Sequence, residues 1–159
     1  MDPNDRTLTL TMIMEPQHAN AFGNVHGGEI LRFMDTTAGC AAIRYAKTVC
    51  VTARADEMQF MKPIHIGDYV TCTGTVVYTG NTSVEVRVTV DAESILADRG
   101  KRRALEAFFT YVALDKNGNP TPVPPFTPET EREKELFEHV KQRREFDRKR
   151  REAAKSKSE

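Results

Sequence analysis

Hydrophobic and polar residues alternate along several segments of the chain, which is the spacing of strands with one buried face. The first segment is 6–14, where threonine alternates with leucine, methionine and isoleucine. Four more strands are predicted at residues 49–60, 69–79, 83–93 and 103–114. Gly80-Asn81 separates two of them and is typical of a tight hairpin turn.

One long stretch, residues 29–46, has the spacing of a helix instead. Its apolar side chains cover a broad arc at 100° per residue: Ile30, Leu31, Phe33, Met34, Ala38, Cys40, Ala41 and Tyr45. An arc this wide predicts a sheet wrapped around the helix, an α+β fold with an antiparallel five-stranded sheet and one long helix. Since one helix cannot cover both faces of a sheet, we expect a second subunit to bury the rest.

The composition changes after the last predicted strand. Residues 117–128 read NGNPTPVPPFTP, and proline interrupts both helices and strand ladders. Residues 129–159 hold nine acidic and eleven basic side chains. We therefore predict a compact domain at 1–116, a proline-rich strap at 117–128, and a charged C-terminal helix and tail at 129–159. Thr127 or Thr130 is expected to cap this helix, and fraying is expected beyond Arg150.

The interleaved signs in that segment favour a solvated helix that docks by one narrow apolar face. Over the whole chain 23 basic and 23 acidic residues balance, which argues against a nucleic-acid partner. The sequence contains no apolar run of about 18 residues, so no membrane span is predicted, and no secretory leader is visible. Cys40, Cys50 and Cys72 are expected to be reduced core thiols without metal-ligand spacing, so a cytoplasmic protein without membrane insertion is predicted.

Candidate chemistry is concentrated in residues 23–42. His26, Gly27 and Gly28 lead directly into the predicted helix, whose first N–H groups lack internal partners and can polarise a carbonyl oxygen. The alternative is an ordinary glycine-rich turn. We expect His26 to be structural rather than a nucleophile or base, because the helix-starting glycines follow it immediately.

Asp35 lies on the rim of the apolar arc, where it could act as a general base. The residues one and two turns further on are small and would leave room for a substrate: Ala38, Gly39 and Ala42. A surface aspartate paired with Arg32 or Lys47 is an equally open interpretation. The Asn24 amide can both donate and accept a hydrogen bond, although an asparagine in a loop more often serves the turn itself.

Three segments together resemble the hotdog-fold acyl-CoA thioesterases: GNVHGGEILRFMD at 23–35, MQFMKPIHIGD at 58–68 and GNTSVEV at 80–86. The nearest group is that of the bacterial short- to medium-chain acyl-CoA hydrolases and the tandem-domain brain acyl-CoA hydrolase. The resemblance covers Leu8 to about Phe137. It implies a sheet that continues across a dimer, hexamers built as trimers of dimers, and active sites between protomers.

The resemblance also implies roles for particular residues. Asp35 would activate water or attack the thioester, helped by Asn24 of the facing protomer, and the N–H of Gly27 or Gly28 would polarise the thioester carbonyl. Substrate or CoA contacts are assigned to His26, Thr82, Ser83 and Lys62. A lysine before a proline at a strand break, as at Lys62, is more often simply solvated.

The function predicted from the sequence is hydrolysis of acyl-CoA thioesters to a free fatty or other carboxylic acid and CoA, without a metal or other cofactor. The G-x-S-x-G and nucleotide-binding glycine motifs do not occur in the sequence. Two alternatives stay open: a hydratase or dehydratase of the same fold, and a non-catalytic module that binds acyl-CoA or a nucleotide.

Overall fold

The computed structural model describes residues 6–94, 96–97 and 100–155. The strands are β1 (Thr7–Ile13), β2 (Val49–Phe60), β3 (Asp68–Thr79), β4 (Ser83–Ser94) and β5 (Arg102–Leu114). The helices are α1 (Gly27–Ala46) and α2 (Glu131–Lys155), with one 3-10 turn at Pro16–His18. The strands form one antiparallel sheet in the order β1-β3-β4-β5-β2, so β1 and β2 are its edges. This confirms the predicted α+β class and the five-stranded sheet.

Helix α1 lies across the inner face of the sheet and contacts all five strands. It approaches β3 closely at Gly74, where an added Cβ would lie 3.3 Å from the carbonyl oxygen of Thr37. The helix starts two residues earlier than predicted, because His26 rather than a later residue caps it. Lys47 ends it in the left-handed conformation, with φ of 57°.

Two expectations about α1 are wrong. Ala38 and Ala42 are fully buried against the sheet, so their small size serves close packing and leaves no open floor for a substrate. Cys40 is exposed, whereas Cys50 and Cys72 are buried as predicted, and burial raises the pKa of both buried thiols to about 11.

Helix α2 packs on the outer face of the sheet, on the side opposite α1. Its anchor is Val140, fully buried in a small apolar cluster with Val77 and Phe108. The expectation that only a second subunit would cover the remaining sheet is therefore wrong for this part of the outer face. Thr130 is the cap, accepting the N–H of Glu133 at 3.2 Å.

The helix continues to Lys155 and does not fray beyond Arg150. No helix among the described residues is both long and apolar enough to cross a membrane.

The proline-rich segment crosses one end of α1. Phe126 is buried there and its ring lies 6.4 Å from that of Tyr45, whose hydroxyl donates to the carbonyl oxygen of Pro125 at 3.1 Å. The segment therefore links the last strand to α2 through packed contacts. The division of the chain into a domain at 1–116, a strap and a tail stays a prediction.

Candidate active site

The N-terminus of α1 presents one backbone N–H to a ligand. His26 Nδ1 accepts the N–H of Gly28 at 2.9 Å, and the carbonyl oxygen of His26 accepts those of Glu29 and Ile30. Across the part of the chain that the structure describes, the Gly27 N–H has no such acceptor. Of the two predicted glycines, Gly27 is therefore the one whose donor is available. The cap agrees with a structural role for His26, and its contact with a substrate stays a prediction.

A cavity of about 230 Å³ opens beside this N–H. Its lining is mostly apolar with a few polar groups, the usual character of small-molecule sites: Asn24, Val25, Gly27, Ile30, Phe60, Lys62, Pro63, Ile64 and Leu105. The Phe60 ring lies close to this backbone, since a Cβ added to Gly27 would be in ordinary contact with it at 3.6 Å. The structure thus brings three predicted residues, Asn24, Gly27 and Lys62, to one place.

The loop before α1 is organised by Asn20, which the sequence analysis did not select. Its Oδ1 accepts the N–H of Phe22 at 2.9 Å and the N–H of Asn24 at 3.2 Å. These two bonds fix which end of the amide is oxygen, so the NH2 group is left to donate elsewhere. Asn24 itself is exposed, and its backbone pairs with His65.

Asp35 is held by two hydroxyl groups that come from the sheet. Thr52 Oγ1 on β2 donates to Asp35 Oδ1 at 2.7 Å, and Tyr111 Oη on β5 lies 2.7 Å from the same oxygen. Arg32 pairs with Glu29 at 3.0 Å, so it is not the partner of Asp35 that one alternative proposed. The aspartate is half-buried and sits at the junction of helix and sheet.

Neither Thr52 nor Tyr111 was found from the sequence. The two residues are direct cross-strand partners between β2 and β5, 59 positions apart in the sequence. The alternating pattern in the sequence placed both residues on predicted strands, but it does not show the register that aligns these two strands. Only the register places both side chains over the same turn of α1.

Thr82 and Ser83 lie elsewhere, at a cavity of about 870 Å³ between α2 and the outer face of the sheet. Ser83 Oγ accepts a hydrogen bond from Arg144 at 3.1 Å. Within one chain the predicted site residues therefore occupy three places: the cavity at the start of α1, the Asp35 cluster, and the cavity beneath α2. Asp35 does not line either cavity.

A family model described as the thioesterase superfamily matches residues 22–97. The rat cytosolic acyl coenzyme A thioester hydrolase is 43% identical over 149 residues, which is 90% of this chain and 39% of that protein. The chain thus spans about two fifths of the length of the mammalian relatives. An uncharacterized acyl-CoA thioester hydrolase of Bacillus subtilis, YkhA, is 38% identical over 80% of this chain and 74% of its own.

Among solved structures, the acyl-CoA hydrolase of Bacillus cereus has a TM-score of 0.85 and 37% identity, over 96% of this chain and 93% of that one. The acyl-CoA hydrolase of Staphylococcus aureus, solved with butyryl coenzyme A, coenzyme A and coenzyme A disulfide, has a TM-score of 0.84 and 30% identity, with the same coverage. Structures of that enzyme also exist with one asparagine, one aspartate or one threonine changed to alanine. A further similar structure, 36% identical with a TM-score of 0.84 over 91% of this chain and 92% of that one, is a hexameric acyl-CoA thioesterase.

Proposed function

Because this chain belongs to the thioesterase superfamily and has its hotdog fold, we propose that it hydrolyses acyl-CoA thioesters to a free acid and CoA. Water is the only other reactant, and no metal or redox cofactor takes part. A thioester has little resonance stabilisation, so a positioned water, a carboxylate and one oxyanion donor suffice chemically.

The observation that carries the proposal is the hydrogen bond from Thr52 to Asp35. In the S. aureus enzyme the substituted aspartate and threonine are 17 positions apart. Asp35 and Thr52 are also 17 positions apart in this chain, and they are in contact at 2.7 Å. A carboxylate in this position is the group that takes the proton of water or attacks the thioester carbon itself.

The same comparison bears on the asparagine. The substituted asparagine of the S. aureus enzyme precedes the aspartate by 15 positions. In this chain Asn20 precedes Asp35 by 15 positions, whereas Asn24, the residue predicted from the sequence, precedes it by 11. The spacing and the fixed NH2 group of Asn20 both favour Asn20 as the amide that holds the substrate or water, with Asn24 as the alternative.

In the proposed reaction, the oxygen of water bonds to the thioester carbon as the carbon–sulfur bond breaks. The Asp35 carboxylate accepts a proton of water and then returns it to the departing sulfur, which gives the free thiol of CoA and restores the carboxylate. The Gly27 N–H, at the positive end of the α1 dipole, stabilises the negative charge that develops on the carbonyl oxygen.

The Gly27 N–H and the Asp35 carboxylate that act on one substrate come from different protomers. Along a helix with 1.5 Å rise per residue, Gly27 and Asp35 are roughly 12 Å apart. The cavity beside Gly27 is lined by nine residues of the chain, and Asp35 is not among them. We propose that the Asp35 of a facing protomer completes each cavity in a two-fold dimer.

The edge strand β2 supports such a dimer. Among the described residues β2 pairs with β5 alone, and its Val49 and Val51 expose 61% and 43% of their surface. We propose that β2 of two protomers pair and that dimers assemble into a trimer of dimers in the cytosol. Lys62, beside the cavity, and Thr82 and Ser83 are then proposed to contact the CoA portion of the substrate.

The direct test is release of free thiol from a panel of acyl-CoA esters by the purified protein. Asp35→Asn keeps the shape of the side chain and should lower kcat by at least about 10²-fold, the usual scale of general base help. Saturable acyl-CoA binding without thiol release by the wild type would contradict hydrolysis and favour a binding module. Consumption of an unsaturated acyl-CoA without thiol release would favour a hydratase.

The asparagine assignment has its own matched variants. Asn20→Asp keeps an oxygen that can accept the two loop N–H groups but removes the NH2 donor, so the loop should persist while kcat falls. Asn24→Asp makes the same change four residues later. A larger loss of kcat for Asn24→Asp than for Asn20→Asp would restore Asn24 as the catalytic amide.

The shared site is tested by mixing two inactive proteins, one carrying Gly27→Pro, which lacks the N–H, and one carrying Asp35→Ala. A mixed dimer holds one site with both groups intact and one with neither, so activity should return in part. Subunit exchange is verified by mass spectrometry. Complete exchange without any return of activity would place both groups in the same protomer's site.

A further inference from the structure

Tyr111 is a buried tyrosine whose hydroxyl reaches the candidate catalytic carboxylate from beneath. Its Oη lies 2.7 Å from Asp35 Oδ1 and 2.8 Å from the Asp35 carbonyl oxygen, and only 2% of its surface is exposed. We propose that Tyr111 is a positioning residue for the hydrolysis: it fixes the Asp35 carboxylate so that one oxygen is held and the other is presented to water. This inference rests on the proposed function.

The sequence builds this contact from three elements. Tyr111 on β5 pairs directly with Thr52 on β2, so their side chains leave the same face of the sheet side by side. One turn after Asp35, Gly39 carries no side chain, and an added Cβ there would lie 3.4 Å from the Tyr111 ring. The phenol therefore lies close to the helix at Gly39 and reaches both Oδ1 and the carbonyl oxygen of Asp35.

The direction of the hydrogen bond follows from the chemistry of the phenol. Burial, together with the neighbouring Asp35 carboxylate, raises the pKa of the Tyr111 hydroxyl far above its usual value. Tyr111 therefore keeps its proton at neutral pH, and it donates. Its single hydrogen is shared between Oδ1 and the carbonyl oxygen of Asp35.

Both hydroxyl donors meet the same carboxylate oxygen. Thr52 Oγ1 and Tyr111 Oη each lie 2.7 Å from Oδ1 of Asp35. Among the described residues, no donor lies within hydrogen-bonding distance of the other oxygen, Oδ2. The two donors hold Oδ1, which leaves Oδ2 available to a water molecule or a thioester.

Such a residue acts on the rate rather than on substrate binding. Tyr111→Phe keeps the ring and its packing and removes only the donor. We expect kcat to fall by about 10-fold, less than the roughly 10²-fold that a proton-transferring group itself contributes, because Thr52 still holds Oδ1. KM should change less than about twofold, since substrate binding does not depend on this donor.

A matched control is available in α1. Tyr45 is equally buried, with 1% of its surface exposed, and its hydroxyl also donates one hydrogen bond, to Pro125. Tyr45→Phe should leave both kcat and KM within about twofold of the wild type, whatever it costs in stability. Thr52→Val removes the other donor on Oδ1, and the double variant Thr52→Val/Tyr111→Phe should lose more kcat than either single variant.

The outcomes separate this inference from the proposed function. If the wild type releases thiol and Asp35→Asn is inactive, but folded Tyr111→Phe has wild-type kcat, only the positioning role is wrong. An equal fall of kcat in Tyr45→Phe would also overturn it. If Asp35→Asn retains full activity, the proposed site itself is wrong. Should Tyr111→Phe not fold, Thr52→Val with wild-type kcat overturns the idea that donors on Oδ1 set the carboxylate.

Discussion

The two faces of the sheet each carry one long helix, but they hold it by different chemistry. On the inner face, β4 contributes a row of fully buried valines, Val84, Val86, Val88 and Val90, to the core beneath α1. On the outer face, the intervening residue Glu85 is 1% exposed and bonds Arg143 and Arg144 of α2 at 2.9 and 2.7 Å. The same strand thus supports an apolar interface on one side and a charged one on the other.

The difference follows from the composition of the two helices. Helix α1 offers alanine, methionine and isoleucine, and burying this surface stabilises without regard to direction. Helix α2 has only a narrow apolar stripe centred on Val140, so its position depends on directed contacts. Arg54 of β2 bonds Asp147, and His139 lies 3.1 Å from Glu57 at a bulge in that strand. We therefore expect α1 to respond to changes of volume and α2 to changes of charge.

The largest expected effect is on the inner face. Met34 is fully buried, and Met34→Ala should lower the free energy of unfolding by about 3 kcal/mol, the middle of the range for such cavities. Since no charge is involved, the loss should be the same at about 0.1 M and about 1 M NaCl. Urea denaturation followed by far-UV circular dichroism, at one protein concentration, measures it. A loss that halves at high salt would contradict a purely apolar interface.

The next effect is on the outer face. Glu85→Gln removes the charge that Arg143 and Arg144 share and should cost about 2 kcal/mol, less than for a fully buried pair because 32% of the Arg144 side chain is exposed. Hydrogen exchange should show loss of protection in α2 with α1 still protected.

The matched control for this variant is Glu106→Gln on the neighbouring strand. Glu106 pairs with Arg87 at 2.6 Å, but 28% of its side chain is exposed, so the cost should stay below about 1 kcal/mol. Equal losses of protection in both helices of Glu85→Gln would mean that the outer contacts support the whole fold rather than α2.

These two faces also explain what could be predicted from the sequence. Period-2 alternation and the broad arc of α1 are local signals, so the strands and the inner core followed within one or two residues, including β2 at 49–60. The ion pairs of Glu85 with α2 join residues 58 and 59 positions apart, and the pair of Arg54 with Asp147 joins residues 93 apart. No local pattern shows which acid meets which base, and α2 was therefore predicted only as a docked, solvated helix without its partners.

In the candidate site, too, local features could be predicted from the sequence and long-range contacts could not. The glycine-rich start of α1 is a local motif that the sequence located, but the His26 cap and the choice of Gly27 over Gly28 came only from the structure. The hydroxyls that hold Asp35 come from two strands and depend on the cross-strand register between Thr52 and Tyr111. That register is a property of the whole sheet, which is why the aspartate could be proposed but its partners could not.

The smallest effect concerns the beginning of α2. Glu133 Oε2 accepts the N–H groups of Glu129 and Thr130 at 2.8 and 3.0 Å, and Oε1 accepts from Arg6 of the N-terminal segment at 3.1 Å. Partial burial raises the pKa of the Glu133 carboxyl, but these hydrogen bonds together lower it by more than burial raises it. The pKa therefore lies below its usual 4.5. The carboxylate form is therefore favoured by folding.

A carboxyl whose pKa is lower in the folded than in the unfolded protein contributes its full stabilisation when the pH is above the unfolded pKa of 4.5. This contribution disappears as the pH falls through the pKa of the folded state. Glu133→Gln should therefore be less stable than the wild type by up to about 1 kcal/mol at neutral pH, and the difference should shrink towards zero below that range. Glu131→Gln, one residue into the same helix with 85% of its side chain exposed, is the control and should differ from the wild type little at any pH. If the difference in stability between Glu133→Gln and the wild type stays constant from pH 7 into the acidic range, the start of α2 does not depend on this carboxylate. The contrast between α2, held by charged contacts, and α1, held by apolar packing, would then not extend to the start of α2.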